Sequence, residues 1–263
     1  MIHDFLNLPT FLMCAIAMLL SAGISVLALI IVRKKSDWET FRDNHEVGGF
    51  LFNGLGLIYA VLIAFVVYAT WGDYNAAQDN CDQEANMMQD LFLDSEALPA
   101  QLQNPIREKI LEYLTKVINE DWPLLSMGLD NPSSKKTLIE LWRVYMGMTG
   151  FENEKQKIVF EESVTRLNNV TDFRRLRILS SQSHIPPIIW AVIIIGALTS
   201  IGFSLFFGTK SLAVQATMTS LFAMTNAVIL VLILALDHPF TGDIRIRSLP
   251  YESIYYFLKN VTY

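Results

Sequence analysis

Four long apolar segments constrain what this chain can fold into. They cover residues 5–32, 47–71, 186–207 and 212–236, and none contains Lys, Arg, Asp or Glu. Each is long enough to cross a bilayer, which takes about 20 apolar residues. Because lipid offers no hydrogen-bond partners to an open backbone, such segments must be helical. The sequence therefore predicts an all-α integral membrane protein with four transmembrane helices.

The apolar segments also set the domain organisation. Residues 1–71 are expected to hold the first two transmembrane helices, and residues 186–237 the other two. Residues 238–263 then form a C-terminal tail, and residues 72–185 form a helical soluble domain, because their apolar residues recur every three or four positions. No Pro or Gly lies between Asp73 and Leu98. The second transmembrane helix is therefore predicted to extend out of the membrane.

Charge and motif content exclude several functions but do not orient the chain. Lys and Arg near the membrane ends are balanced, five on either face, so the positive-inside rule does not decide the topology. The net charge of −6 argues against a nucleic-acid partner. The four histidines and the carboxylates match no catalytic, metal-binding or nucleotide-binding motif. We therefore expect neither an enzyme nor a bound metal or cofactor.

The second apolar segment carries two stripes at helical spacing. Gly56, Ala60 and Ala64 are small residues four positions apart, a spacing that lets helices approach closely in lipid. The adjacent stripe consists of Asn53, Leu57, Val61, Phe65 and Tyr68. The amide of Asn53 must be satisfied within the membrane, either by a neighbouring helix or by water in a pore. Spacing alone leaves these two alternatives open.

Several short runs resemble the bestrophin-like family of membrane proteins, which is remotely related to the bestrophin anion channels. The longest run is NHEVGGFLFNGLGLIYAVLIAFVVYATWGDYNAA, and the others are EANMM, INEDWP, IPPIIW and LDHPFTGDI. The resemblance covers residues 44–244. It implies a passive channel for small inorganic anions, built as a homo-oligomer with five subunits around one pore. It also implies a bacterial inner-membrane protein with its termini and middle domain in the cytoplasm.

The resemblance assigns the second crossing to the pore. In bestrophins this crossing lines an apolar neck, and aligning the aromatic corner WGDY places Asn53, Leu57 and Val61 there. Phe65 and Tyr68 continue the same stripe. Narrow apolar rings can gate a pore by dewetting. The crossing has no Lys or Arg, so a preference for anions would depend on amide and helix-end dipoles or on aromatic edges.

The segment after the fourth crossing is predicted to form a corner. Pro239 lacks a backbone N–H and ends the helix, and Gly242 permits a turn. In bestrophins the corresponding run leads into an acidic cluster that helps to form a calcium clasp. Here Asp243 is followed by Ile, Arg and Ile, whereas calcium takes six to eight oxygen ligands. We therefore expect Asp237, Pro239, Phe240 and Gly242 to form the corner without a metal.

A second function fits the same features. The chain could be a non-conducting membrane scaffold or sensor whose helical domain binds a protein partner. The stripe of the second crossing would then pack against other helices instead of lining a pore. A central opening lined by that crossing distinguishes the channel from the scaffold.

Overall fold

The computed structural model describes residues 6–35, 45–148 and 150–261, and within these ranges the chain forms helices and no strand. In chain order the helices are α1 (Thr10–Lys35), α2 (His45–Asp94), α3 (Ala100–Lys116), α4 (Trp122–Leu125), α5 (Pro132–Met146), α6 (Glu154–Gln182), α7 (Pro187–Ser204), α8 (Leu212–Leu236) and α9 (Leu249–Val261). A 3₁₀ turn, Ser95–Ala97, follows α2, and a π-helical turn, Val117–Asp121, joins α3 to α4. The predicted all-α class is confirmed.

Four of these helices, α1, α2, α7 and α8, are long and apolar enough to cross a membrane, as the sequence predicts. The second of them, α2, is one uninterrupted helix of 50 residues. At 1.5 Å per residue it is about 75 Å long, more than twice the thickness of a bilayer core. The apolar part of α2 therefore spans the membrane, and the rest extends beyond it.

The described chain divides into two compact units. The first comprises the described residues within 1–72, 184–237 and 241–244, and the second comprises those within 73–183, 238–240 and 245–263. The first unit contains α1, α7, α8 and the apolar part of α2. The second unit contains the remainder of α2 together with α3, α4, α5, α6 and α9.

In the first unit α8 packs against both α1 and α7, and α2 packs against α7 through one buried face. Ile63 and Ile193 are buried where α2 and α7 meet. The ring of Tyr59 lies against Gly196, where a Cβ atom would sit only 2.5 Å from the ring, and its hydroxyl donates to the carbonyl of Ile193 at 3.3 Å. Gly196 therefore permits the close approach of α2 and α7, a role that the sequence did not suggest.

The second unit has a large apolar core to which α2, α3, α5, α6 and α9 contribute. Met88, Leu91, Ile110 and Leu141 are fully buried in it. The apolar stripes of the amphipathic helices thus meet in one core, as expected for helices that are apolar on one side.

A fully buried ionic cluster centred on Arg177 of α6 lies within this core. Its guanidinium donates to both carboxylate oxygens of Glu84, at 2.8 and 3.1 Å, and to Asp121 at 2.9 Å. The hydroxyl of Tyr113 donates to Glu84 at 2.6 Å. Burial lowers the pKa of Arg177, but Glu84 and the other nearby acidic groups outweigh that effect and hold the pKa well above its usual value. The cluster joins α2, the π-helical turn and α6 through charged hydrogen bonds.

Candidate functional site

The predicted pore-lining residues lie on the outer face of α2. The side chains of Leu57, Val61, Phe65 and Tyr68 are between 48% and 78% exposed, and Asn53 is exposed as well. Because these positions are three or four residues apart, they share one face of the helix. We call this set of five residues the outer strip. The described residues of the first unit leave the outer strip largely uncovered.

The opposite face of α2 holds the helix in place. Ile63 and Thr70 are buried, and the ring of Phe52 packs against Phe203 at 5.7 Å and Phe222 at 5.9 Å between ring centroids. This face is anchored on α7 and α8, so the outer strip points away from the rest of the first unit.

The small-residue stripe is open in the described chain. No side chain lies within 4 Å of a Cβ atom placed on Gly56, and Ala60 and Ala64 are exposed. This small-residue stripe lies beside the outer strip on α2. At Gly56 it packs against no other described helix of the subunit. It therefore remains available for a helix of another molecule.

Beyond the membrane, the face of α2 that carries the outer strip becomes acidic. Asp79 lies three helical turns after Tyr68, and Asp82 lies about one turn further, so both continue this face. Asp79 is exposed and Asp82 is half-buried. Burial, together with the negative charge of Asp79, raises the pKa of Asp82. No Lys or Arg occurs anywhere in α2, so no side-chain cation of this helix offsets these carboxylates.

The corner after α8 fastens two helix ends of the first unit. Asp237 accepts a hydrogen bond from the backbone N–H of Ile185 at 2.7 Å, just before α7 begins. Asp243 accepts one from the N–H of Thr10 at 2.9 Å, at the first residue of α1. A carboxylate at a helix N-terminus satisfies a free amide and interacts favourably with the helix dipole. The sequence suggested no such role for Asp243.

Pro239 and Phe240 of the corner belong to the second unit. The carbonyl of Pro239 accepts a hydrogen bond from Ile246 at 2.8 Å. The Phe240 ring is buried and packs edge-on against Trp122, with 6.1 Å between the ring centroids. These two residues therefore serve packing and chain reversal.

Gly242 should not tolerate a side chain. Its φ of +80° is in the left-handed region, and a Cβ atom there would lie 2.7 Å from the carbonyl oxygen of Leu6. We expect Gly242→Ala to lower the free energy of unfolding by at least about 1–2 kcal/mol, from the left-handed backbone alone. Thermal unfolding in detergent measures the change. Gly23→Ala in α1 is the matched control, because nothing lies within 4 Å of its Cβ position, and an unfolding temperature equal to that control would contradict the prediction.

Comparison with known proteins gives one family and one fold. The family model described as the bestrophin-like domain matches residues 16–251. A solved single-site variant of a bacterial bestrophin homologue from Klebsiella pneumoniae is 13% identical, with a TM-score of 0.71 over 95% of this chain and 96% of that chain. Another structure of a homologue from this organism, phased with zinc, is 14% identical, with a TM-score of 0.69 over 94% and 98%. At these identities the likeness concerns the fold, and no curated protein matches the sequence.

Proposed function

Because the chain belongs to the bestrophin-like family, we propose that it is a passive ion channel formed by several copies of this chain. Family membership and the fold shared with bacterial bestrophin homologues support an ion channel at the level of the family. The pore would run between the copies and be lined by the outer strip of α2. Following the resemblance, the assembly is a pentamer in the bacterial inner membrane, with residues 72–185 in the cytoplasm.

The orientation of α2 is the observation that carries this proposal. One helix cannot enclose a pore, so a pore lined by the outer strip would require several copies of the strip around one axis. Its opposite face is already buried against α7 and α8, and the small-residue stripe beside it is open at Gly56. In a ring, each copy would contribute Leu57 and Val61 to an apolar neck, which can exclude water and hinder ions. The amide of Asn53 would face water at one end of that neck.

Mass and conductance of the purified protein test the proposal. In mild detergent the particle should be larger than a dimer, and in a planar bilayer it should produce discrete current steps. A scaffold or sensor would instead assemble without conducting. A monomeric particle, or an intact oligomer with no current under any applied voltage, would reject the channel.

The sign of the conducted ion has two candidates. The resemblance implies small inorganic anions, which α2 could attract only through amide dipoles, helix ends and aromatic edges. A cation-conducting channel is the second candidate, and it is favoured by Asp79 and Asp82 together with the absence of Lys and Arg from α2. Rings of carboxylates in a conduction path favour cations.

The reversal potential in a potassium chloride gradient separates the two candidates. If the carboxylates decide selectivity, the parent should reverse towards the potassium equilibrium potential. Asp79→Asn with Asp82→Asn should then move the reversal potential towards zero. Glu161→Gln is the matched control, since this exposed acid lies on α6. Reversal near the chloride potential, unchanged in the double variant, would exclude the cation candidate.

A further inference from the structure

A half-open apolar cavity of about 440 Å³ lies in the first unit between the start of α2 and the end of α7. Val47, Leu51, Phe203 and Phe207 supply most of its wall, and His45 adds one polar ring. The volume falls within the range of about 300–1,000 Å³ that is typical of ligand pockets. Apart from His45, the side chains of this wall have no hydrogen-bond donor or acceptor, so the group that fills the cavity must be largely apolar.

Packed aromatic rings preform the cavity. Phe207 lies 5.3 Å from Phe52 and 5.8 Å from Phe203, measured between ring centroids. Gly48 faces these rings, and a Cβ atom there would lie 3.8 Å from Phe207. The glycine leaves open the space that a larger side chain would occupy, and no described side chain has to move to create it.

Cationic side chains lie at the same end of the helices as the cavity. Arg33 of α1 donates to the carbonyl of Thr209 at 2.5 Å, which holds the end of α1 at the loop that follows α7. Lys34 and Lys35 come next in α1, Lys210 lies in that loop, and all three are exposed. The described carboxylate at this end is that of Glu46, and in the sequence residues 36–44, which connect α1 to α2, add one Arg and three carboxylates. Lys and Arg beside a transmembrane helix end attract anionic lipid headgroups by charge, and here they would do so on the side of the membrane opposite residues 72–185.

We propose that this cavity holds an acyl chain of an anionic phospholipid, with the headgroup against Lys34, Lys35 and Lys210. The bilayer is the source of the ligand, because α2 and α7 are both candidate membrane spans. The cavity is open at one side and its wall is apolar, so a hydrocarbon chain of the surrounding bilayer can enter it without any polar group being buried. This inference does not depend on ion conduction, and a non-conducting assembly would bind the lipid equally well.

Native mass spectrometry with added dioleoylphosphatidylglycerol tests the proposal, with dioleoylphosphatidylcholine as the neutral comparison. The parent should retain one phosphatidylglycerol per subunit and at least about tenfold less phosphatidylcholine. Gly48→Leu should abolish retention, because its side chain fills the cavity. Gly23→Leu, a substitution on α1 at a site with nothing within 4 Å, should leave retention unchanged.

A charge variant and the assembly state complete the test. A triple variant in which Lys34, Lys35 and Lys210 are all replaced by Gln should lose the preference for phosphatidylglycerol over phosphatidylcholine. Equal retention by the parent and Gly48→Leu would overturn the proposal. It would also be overturned if Gly48→Leu dissociated the oligomer, because the cavity would then be occupied by a neighbouring copy.

Discussion

Replacing Arg177 with Met is expected to destabilise the protein by about 3–5 kcal/mol, the usual cost of removing one partner from a buried ion pair. The substitution keeps an apolar side chain in the core but leaves Glu84 and Asp121 without their cation. Both carboxylates are at most 3% exposed, so water cannot replace the lost hydrogen bonds. Thermal unfolding of the full chain in detergent measures the loss.

Two further variants distinguish charge from packing in this result. Arg175→Met removes a neighbouring arginine that is 75% exposed and paired with Asp172, and it should cost at most about 1 kcal/mol. Adding Glu84→Gln to Arg177→Met removes one of the two stranded charges and should recover part of the lost stability. If Arg177→Met unfolds at the same temperature as Arg175→Met, the buried cluster does not stabilise the fold.

Truncating the side chains of the proposed neck should raise ion flux strongly. Under the channel proposal, Leu57→Ala combined with Val61→Ala widens an apolar ring and admits water. We expect flux into liposomes to rise by at least about tenfold, which corresponds to a barrier lower by about 1.4 kcal/mol. Both side chains are exposed within the subunit, so their truncation leaves no cavity in the core of the chain.

Two double variants serve as controls for the neck. Leu20→Ala with Ile24→Ala removes two apolar side chains of α1 that have the same spacing and are also exposed, and it should leave the flux unchanged. Ile63→Ala with Ile193→Ala truncates the buried contact between α2 and α7, and it should lower stability by about 2–5 kcal/mol for each residue. If the double variant Leu57→Ala with Val61→Ala loosens the assembly but leaves the flux unchanged, the pore is rejected and the scaffold is favoured.

Helix boundaries and packed faces could be predicted from the sequence to different degrees. The four spans could be predicted from the apolar length of each transmembrane segment. The extension of α2 could be predicted from the absence of Pro and Gly between Asp73 and Leu98. The stripe at Asn53, Leu57 and Val61 could be found by spacing, because helical periodicity places these residues on one face. Spacing does not say whether that face is buried. Only the burial of Ile63 and Thr70 shows which side of α2 the subunit covers.

The sequence by itself determined the class of the protein, because long uncharged segments require helices in lipid whatever their partners are. It also predicts a corner after α8, because Pro239 and Gly242 act through their own backbones. Only the tertiary structure decided that Asp243 caps α1, from which it is separated by 233 positions of sequence. The same holds for the ion pairs of Arg177, whose partners Glu84 and Asp121 lie 93 and 56 positions away in the sequence. Such contacts depend on how helices far apart in the chain pack together, and local periodicity carries no information about that packing.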